Sequence, residues 1–298
     1  MDGRLLTAPG RGILHGLVAY GIWGLFPIYW KLLSHVPALE VLAHRIVWSC
    51  VLLVLGLTWL RRRGLAWSAV DRRAVAIYAL AAVLIGGNWF LYIWGVGHGR
   101  VLETSLGYFL TPLVNVLLGV AVLHERLRPL QWAAVAIATI GIAYLTVAVG
   151  GLPWIAIGLA VSFGSYGLIK KRAPLPALQG LTLETAILWL PAAGLIGAGL
   201  VNGTGAFLNG MPGTDGYLVL GGLVTVVPLL LFASAVQLVP LSTVGILQYV
   251  SPSIQFVLGT LLYHEPFGRA QLRGFIAVWV ALVVFTADGL WNSRMAEH

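Results

Sequence analysis

Ten long apolar segments make up most of the chain and limit what it can fold into more than any other feature. A helix that crosses the hydrocarbon core of a bilayer needs about 20 largely apolar residues. Only 9% of the residues are charged, whereas a soluble domain carries about 25%, so the chain has too few polar residues to cover a soluble surface. The sequence therefore predicts an all-α polytopic membrane protein. The ten predicted transmembrane helices lie near residues 13–33, 39–60, 74–97, 101–123, 129–149, 152–170, 180–201, 216–237, 241–263 and 270–291.

The uneven distribution of Lys and Arg among the loops predicts the orientation. Cytoplasmic loops of membrane proteins carry an excess of basic residues. If the N-terminus is cytoplasmic, most of the 18 Lys and Arg residues fall on the cytoplasmic side, so we expect both termini there. This arrangement also explains the net charge of +8 without nucleic acid, whose binding would need a basic stripe on a soluble face. The few basic residues on the predicted outer side are Lys31, Arg45, Arg100, Arg269 and Arg273.

The chain contains an internal repeat. The stretch "TPLVNVLLGVAVLHERLRPLQ" at 111–131 aligns without a gap with "SPSIQFVLGTLLYHEPFGRAQ" at 251–271, a constant shift of 140 residues. The alignment pairs Pro112 with Pro252 and Gly119 with Gly259. It also pairs the His-Glu dipeptide at 124–125 with the one at 264–265. Matches of these residue types in register indicate a duplication of the chain.

The repeat divides the chain into two halves of five helices, residues 1–149 and 150–298. Because five is odd, the second half must enter the membrane from the opposite side. The sequence therefore predicts two inverted five-helix repeats, an arrangement used by many secondary transporters, with the substrate site near the midplane between the halves.

This organisation resembles the EamA domains of the drug/metabolite transporter superfamily, with a proline in the fourth helix of each half and a glutamate at its end ("LHERL", "YHEPF"). Within that superfamily, "NWFLYIWGVGHGRVLETSLGYFLTPLVNVLLG" at 88–119, "GLFPIYWKLL" at 24–33 and "PLSTVGILQYVSPSIQFVLG" at 240–259 are similar to the RarD branch. The resemblance covers essentially the whole chain. It implies ten helices and transport of small metabolites. Some members, including the YddG-type exporters, move aromatic and other amino acids outward.

His-Glu pairs stand at 124–125 and 264–265, where the fourth and ninth helices end. A zinc-protease helix needs a second histidine four residues after the first, and Arg128 and Gly268 occupy those positions. The two pairs also fall on opposite predicted faces of the membrane, so they cannot form one site. We interpret them as solvated helix ends, with a gating salt bridge as the alternative.

No cofactor or metal site is predicted. The chain has a single cysteine, Cys50, so neither a disulfide nor a thiol–metal cluster is expected. No glycine-rich turn is followed by the Lys and Ser or Thr of a phosphate-binding loop. We therefore expect transport that does not use ATP.

Two proline-containing helices carry matched polar stripes. Proline inside a helix frees a backbone carbonyl and bends the helix, which suits a cavity wall or a hinge. Tyr108, Thr111 and Asn115 are spaced by three and four residues and so share one face. The equivalent residues of the other half are Gln248, Ser251 and Gln255. We predict that both stripes bind substrate, with hydrogen bonds between helices as the alternative. The predicted hinge residues are Pro27, Pro112 and Pro252.

Aromatic and amide side chains of other helices predict the rest of a central cavity lined by helices 1, 3, 4, 6, 8 and 9. Asn88 and Trp89 lie near the middle of the third helix, where a buried amide needs a partner from another helix or a ligand. The ionisable residues fall near the predicted interfaces, so the midplane should be uncharged and suit a zwitterionic or neutral substrate. The other predicted substrate-binding residues are Tyr20, Trp23, Tyr92, Phe163, Tyr166 and Tyr249.

These features predict a secondary transporter of the bacterial inner membrane that works by alternating access. By family resemblance the expected substrates are amphipathic metabolites, aromatic and other neutral amino acids first, moved outward. Efflux of chloramphenicol-like drugs is the alternative within the same class. A membrane-embedded enzyme is the alternative from another class, but it would need ionisable groups gathered at one depth, and we expect no catalysis. The expected partners are an amino acid-like small molecule and the lipid bilayer, and the expected state is a monomer.

Overall fold

A computed structural model describes residues 7–64, 68–98, 100–149, 154–209, 213–262 and 269–295, and its regular structure in those ranges is entirely helical. The prediction of an all-α polytopic membrane protein is confirmed. The helices are α1 (Ala8–Leu32), α2 (Ala38–Arg62), α3 (Arg72–Gly97), α4 (Val101–Leu123), α5 (Pro129–Val149), α6 (Trp154–Arg172), α7 (Ala177–Val201), α8 (Thr214–Leu238), α9 (Leu241–Leu247), α10 (Val250–Val257) and α11 (Arg269–Met295), with a π-helical turn at Leu258–Leu262.

Several helices are long and apolar enough to cross a membrane. In the described ranges six meet both conditions of length and hydropathy: Ala8–Leu32, Ala38–Arg62, Arg72–Gly95, Leu106–Leu123, Ala177–Val201 and Thr214–Leu238. Their outward-facing side chains are apolar as well, for example Val83, Leu190 and Val201, each more than 60% exposed. Large apolar side chains at that exposure are costly in water but favourable against lipid, so the outer surface fits a bilayer.

Proline starts several of the helices. Pro37, Pro176 and Pro240 stand immediately before α2, α7 and α9, at helix starts where a missing backbone N–H costs no intrahelical hydrogen bond. In α1 the hydroxyl of Thr7 accepts a hydrogen bond from the N–H of Gly10 at 3.3 Å, which satisfies one of the free donors of the first turn. The described chain turns sharply between helices at these points.

The packing of helices follows the repeat. The equivalent helices α2 and α7 pack together, and so do α5 and α11, and α4 and α9. The contact of α1 with α8 has its counterpart in α6 with α3, and α1 with α10 has its counterpart in α6 with α4. This reciprocal pattern is what two inverted repeats related by a pseudo-two-fold axis produce. The boundary predicted at 149 and 150 falls next to residues outside the described ranges and stays a prediction.

The ninth predicted span is not one continuous helix, which corrects the prediction of 241–263. It is broken at Gln248 and Tyr249, between α9 and α10. Pro252 stands in the first turn of α10 and has no N–H to donate to Gln248, so a helix running through this point would lack a hydrogen bond. Its repeat equivalent Pro112 lies inside α4, which continues unbroken. Equivalent prolines therefore interrupt one repeat and leave the other intact.

Glycines allow the backbones to approach closely where helices cross around the centre. A β-carbon at Gly222 of α8 would lie 2.6 Å from the backbone carbonyl carbon of Trp48 in α2. The hydroxyl of Ser49 donates to the carbonyl of Gly222 at 3.2 Å. Small residues at such crossings allow van der Waals packing and interhelical hydrogen bonds, which hold helices together in lipid.

Candidate substrate cavity

A cavity of about 520 Å³ lies between the two halves. It extends from the middle of the bundle, where Tyr20, Thr111 and Gln248 line it, to Ser34 in the exposed turn between α1 and α2. Cavities for small organic molecules have volumes of about 300–1,000 Å³. The space is therefore large enough for one small metabolite that enters from the face carrying the α1–α2 turn.

Most residues predicted to bind substrate line this cavity, although they come from distant parts of the sequence. The predicted residues found in its wall are Tyr20, Trp23, Asn88, Trp89, Tyr92, Tyr108, Thr111, Phe163, Gln248, Ser251 and Gln255. Of the predicted hinge residues, Pro27 and Pro252 also line it and Pro112 does not. Binding of a substrate by these residues stays a prediction.

Three predicted residues lie outside the cavity, which corrects their expected position. Asn115 is fully buried and donates to the side-chain oxygen of Gln248 at 3.1 Å, so it holds a wall residue from behind. Tyr166 is buried and donates to Glu184 at 3.0 Å. Tyr249 faces away from the cavity, with its hydroxyl 3.4 Å from the carbonyl of Phe109. Each of the three side chains thus makes a hydrogen bond to a neighbouring helix, although the side-chain oxygen of Asn115 has no partner among the described residues.

The inner end of the cavity is aromatic. The ring centroid of Trp23 lies 5.4 Å from that of Tyr20, 6.0 Å from Phe163 and 5.8 Å from Phe232. The rings are tilted or edge-to-face, the arrangements that aromatic pairs prefer. They give the cavity a rigid apolar floor that suits an apolar or aromatic part of a solute.

Amide side chains in the wall are already engaged by neighbouring helices. Asn88 donates to the carbonyl of Leu159 at 2.9 Å and to the hydroxyl of Ser162 at 2.8 Å, both in α6. Gln255 donates to the carbonyl of Trp23 at 3.2 Å. That carbonyl lies four residues before Pro27, which has no N–H to bind it. The amides therefore hold helices together, as the predicted alternative expects, and also line the cavity, while substrate binding by them stays a prediction.

The helix α2, outside the predicted set of wall helices, also lines the cavity and brings a charge into its wall. The uncharged midplane stays a prediction. Arg45 of α2 lines the cavity, and its Nε donates to Thr225 at 3.0 Å. Its guanidinium carbon lies 4.8 Å from the ring centroids of both Trp30 and Trp89. The signal was present in the sequence, because an arginine inside an apolar span indicates a functional site by default. Arg45 is counted among the outer basic residues although it lies inside the predicted span 39–60.

A second charged group is buried behind the aromatic floor. Lys170 and Glu184 form an ion pair at 2.8 Å, with both side chains 1% exposed. The predicted span ends at residue 170, whereas α6 continues to Arg172 and turns the Lys170 side chain inward.

The face opposite the cavity mouth is closed by contacts between helix ends. Glu125, at the end of the first-half helix α4, accepts hydrogen bonds from the N–H groups of Leu241 (2.6 Å) and Ser242 (2.9 Å) at the start of α9. Lys171 donates to the carbonyl of Val239 at 2.6 Å at the end of α8. Arg172 donates to the carbonyl of Val122 at 2.9 Å near the end of α4. Acidic groups at helix starts and basic groups at helix ends are favourable. The contacts of Glu125 and Arg172 join the two halves, and that of Lys171 joins α6 to α8 within the second half.

The His-Glu pair at 124–125 is a helix end, with His124 exposed and Glu125 half-buried. His124 ends α4 in the left-handed conformation with φ of 57° and is exposed. Glu125 instead caps α9, so the interpretation of this glutamate as a solvated residue is wrong. The pair at 264–265 lies outside the described residues. In the described ranges, no three His, Cys, Asp or Glu side chains group as metal ligands would.

Comparison with known proteins identifies the family. The profile of the EamA-like transporter family matches residues 10–147. The chain is 45% identical over 294 residues to the uncharacterised transporter YojE of Bacillus subtilis, covering 97% of this chain and 98% of that one. It is also 45% identical over 287 residues to the protein RarD of Streptomyces exfoliatus, covering 96% and 91%. The chain belongs to the EamA-like transporter family.

Further comparisons agree with this membership. The EamA-like chain is 32% identical over 281 residues to a Pseudomonas aeruginosa relative named chloramphenicol-sensitive protein RarD, covering 92% of this chain and 93% of that one. One solved crystal structure superposes with a TM-score of 0.69 over 93% of this chain and 97% of the other, at 18% identity. At that identity the likeness shows the fold alone. As an EamA-like protein with membrane-spanning helices, the chain is a membrane transporter.

Proposed function

We propose that this protein is a secondary transporter that exports small amphipathic metabolites, with aromatic and other neutral amino acids as the first candidates. The two halves rock around the central cavity, so that it opens to one side of the membrane at a time. No ATP is consumed. The observation that carries the proposal is a cavity with a mouth at one face and contacts between the halves at the other.

Three features support a small amphipathic solute. The volume of about 520 Å³ accommodates a molecule of amino acid size. The aromatic floor around Trp23 suits an apolar side chain, and the polar groups of Tyr108 and Gln248 stand beside it. Secondary transporters built from inverted repeats bind their substrate near the midplane between the halves, which is the depth that the floor reaches.

The test is transport by the purified full chain in proteoliposomes. Vesicles preloaded with unlabelled phenylalanine should take up labelled phenylalanine by counterflow, and unlabelled neutral amino acids should compete. Imposing a proton gradient reports whether protons are coupled. If no amino acid is taken up or competes, the proposed substrate class is wrong.

A matched pair of variants links transport to the cavity. Gln248→Leu removes an amide from the cavity wall and should lower counterflow several-fold. Gln237→Leu removes an amide from α8 that lies outside the wall and contacts the carbonyl of Leu175 at 3.5 Å, and it should leave counterflow near the wild-type rate. Equal effects of the two substitutions would contradict a substrate role for Gln248.

Export of chloramphenicol-like drugs is a second candidate, favoured by the printed name of the Pseudomonas aeruginosa relative and by the aromatic floor. It is tested in the same vesicles by adding chloramphenicol as a competitor. Competition by the drug but by no amino acid would favour this candidate over the first.

We further propose that the chain lies in a bacterial inner membrane with both termini in the cytoplasm. The basic residues Arg61, Arg62 and Arg63 at the end of α2 support this orientation. The cavity mouth then faces outward and the contacts of Glu125 close the cytoplasmic side. C-terminal fusions test the orientation, since green fluorescent protein should fluoresce and alkaline phosphatase should be inactive. The opposite result would reverse the assignment of both faces.

A further inference from the structure

Arg45 is a positive charge in the wall of the cavity without a matching negative charge. In the part of the chain that the structure describes, no carboxylate forms a salt bridge with it. The nearest acid on the same helix, Glu40, is buried and accepts hydrogen bonds from the N–H groups of Ala206 (2.8 Å) and Phe207 (3.1 Å). That carboxylate is therefore hydrogen-bonded to the loop after α7 and does not neutralise Arg45.

The contacts of Arg45 satisfy only part of its hydrogen-bonding capacity. A guanidinium has five N–H donors in a planar fork. The donor at Nε is used by Thr225 at 3.0 Å, and the rings of Trp30 and Trp89 contact the charge without accepting a conventional hydrogen bond. The two terminal NH2 groups have no partner among the described residues. They form the part of the fork that binds a carboxylate through two parallel hydrogen bonds.

The position of Arg45 in the cavity wall lets an anion that enters the cavity pair with it. Ionisable groups in the membrane interior are expensive unless they pair or face a water-filled cavity. Aromatic rings offset part of the cost through their quadrupoles, but they cannot replace the hydrogen bonds of a carboxylate. The hydroxyl-bearing residues Tyr92 and Tyr108 line the same part of the cavity, with ring centroids 5.7 Å apart, and can donate to the same anion.

We propose that Arg45 binds a carboxylate of the transported solute, whose apolar or aromatic body lies against the floor around Trp23. This inference rests on the proposed transport function and specifies its substrate class as amphipathic carboxylates. Amino acids belong to that class through their α-carboxylate. Uncharged drugs and amines do not, because they would leave the guanidinium unpaired.

The test uses four ligands of nearly equal shape. These are 3-phenylpropanoate (an anion), L-phenylalanine (a zwitterion), 3-phenylpropanamide (neutral) and L-phenylalaninamide (a cation). Binding to the purified full chain in detergent is measured by quenching of tryptophan fluorescence excited at a wavelength that phenyl groups do not absorb, because Trp30 and Trp89 contact Arg45. Both carboxylates should bind about tenfold or more tightly than the matching amides. Equal affinities of acids and amides for the wild type would overturn the proposal.

Substitutions assign the preference to Arg45. Arg45→Gln should abolish the preference for carboxylates while weak binding of the amides persists. Arg45→Lys keeps the charge but loses the fork, so it should retain only part of the preference. The matched control is Arg63→Gln, since Arg63 is exposed at the end of the same helix and lies 4.1 Å from the ring centroid of Trp59. That variant should bind all four ligands as the wild type does. A carboxylate preference that survives in Arg45→Gln would exclude Arg45 as its source.

Counterflow measurements test transport separately from carboxylate binding, so they show which of the two proposals fails. If carboxylates bind selectively but no solute is exchanged across proteoliposomes, the transport proposal fails and the carboxylate site stands. If phenylalanine and phenylalaninamide are exchanged at the same rate, the carboxylate inference fails and transport stands. If Arg45→Gln does not fold, the affinities of the wild type for acids and amides still test whether the cavity prefers carboxylates.

Discussion

Lys170 and Glu184 join α6 to α7 behind the cavity floor. Their side chains are 1% exposed, and the second oxygen of Glu184 accepts a hydrogen bond from Tyr166 at 3.0 Å. The ammonium of Lys170 also lies 5.2 Å from the ring centroid of Tyr78. Desolvation of both charges is costly, and the pair is tolerated because each charge has several partners. The ring of Tyr166 stacks on Phe232 at an interplanar angle of 11°, so this ion pair fixes the position of the aromatic floor.

Removing one charge of this pair should destabilise the protein more than removing both. Glu184→Gln or Lys170→Met leaves a buried charge without its partner, which costs about 3–5 kcal/mol. The double variant has no unpaired charge and should recover a large part of that loss. Thermal unfolding of the purified chain in detergent measures all four proteins. If the two single effects simply add in the double variant, the residues do not act as a pair.

Several residues could be identified from the sequence because their signal is local. Trp23 and Gln248 were expected in the wall from their residue types and positions within apolar spans, and both line the cavity. Counting the basic residues on each side of the membrane does not show which way a side chain points, so it reveals neither the burial of Lys170 nor the place of Arg45 in the cavity wall. The burial of Lys170 depends on Glu184, 14 residues later and on another helix, and no local pattern reveals a partner of that kind.

The proline inside α1 shows how the repeats complement one another at the level of elements. Pro27 leaves the carbonyl of Trp23 without an intrahelical donor, and Gln255 of α10 supplies one at 3.2 Å. The break between α9 and α10 has a similar origin, in Pro252. Span positions could be predicted from hydropathy because length and apolar content are local properties. The break could not, because Pro112 at the equivalent position leaves α4 continuous.

The hydrogen bond of Gln255 to α1 should contribute to stability only while Pro27 is present. Gln255→Leu leaves the partly buried carbonyl of Trp23 without a donor and should cost about 1–3 kcal/mol. In a Pro27→Ala background the helix restores its own N–H donor to Trp23, so the same substitution should cost markedly less. Unfolding midpoints of the four combinations measure the difference. If Gln255→Leu lowers the stability equally in both backgrounds, the amide of Gln255 does not stabilise the protein through the carbonyl of Trp23.

The crossing of α2 and α8 depends on a glycine at one position. Gly222→Ala places a β-carbon 2.6 Å from the backbone of Trp48, and backbone atoms can move away only if the helices separate. We expect a loss of about 1–3 kcal/mol, as for overpacking in other cores. Gly216→Ala is the matched control on the same helix, since nothing lies within 4 Å of its β-carbon. It should be neutral or slightly stabilising, because alanine is the better helix former. Similar unfolding midpoints for the two variants would argue against close packing at this crossing.

At the scale of the whole molecule, the two faces differ in the contacts that join the halves. On the face of the cavity mouth, α1 and α2 diverge around a space that reaches Ser34. On the other face, Glu125 of the first half holds the start of α9 in the second half. Alternating access requires such contacts to break when the opposite face closes, so their strength sets the balance between the two states.

Weakening the contact of Glu125 should open the closed face. A carboxylate satisfies two N–H groups and also interacts favourably with the positive end of the α9 helix dipole, whereas glutamine offers one neutral acceptor. Glu125→Gln should therefore raise the rate at which a cysteine at the buried Ser242 is alkylated, several-fold, in a chain whose Cys50 is replaced by alanine. His124→Asn is the control, because His124 is exposed and asparagine tolerates its left-handed conformation.

Gly119 provides an independent way to disturb the same contact. A β-carbon at this position would lie 2.5 Å from a carboxylate oxygen of Glu125, and the flexible end of that side chain is the part that can move. Gly119→Ala should therefore displace the carboxylate from Ser242 and raise the alkylation rate in the same way as Glu125→Gln. Combining the two substitutions should add little, since both remove one contact. Unchanged alkylation in both single variants would mean that the closed face is held by other groups, with Lys171 and Arg172 the next to test.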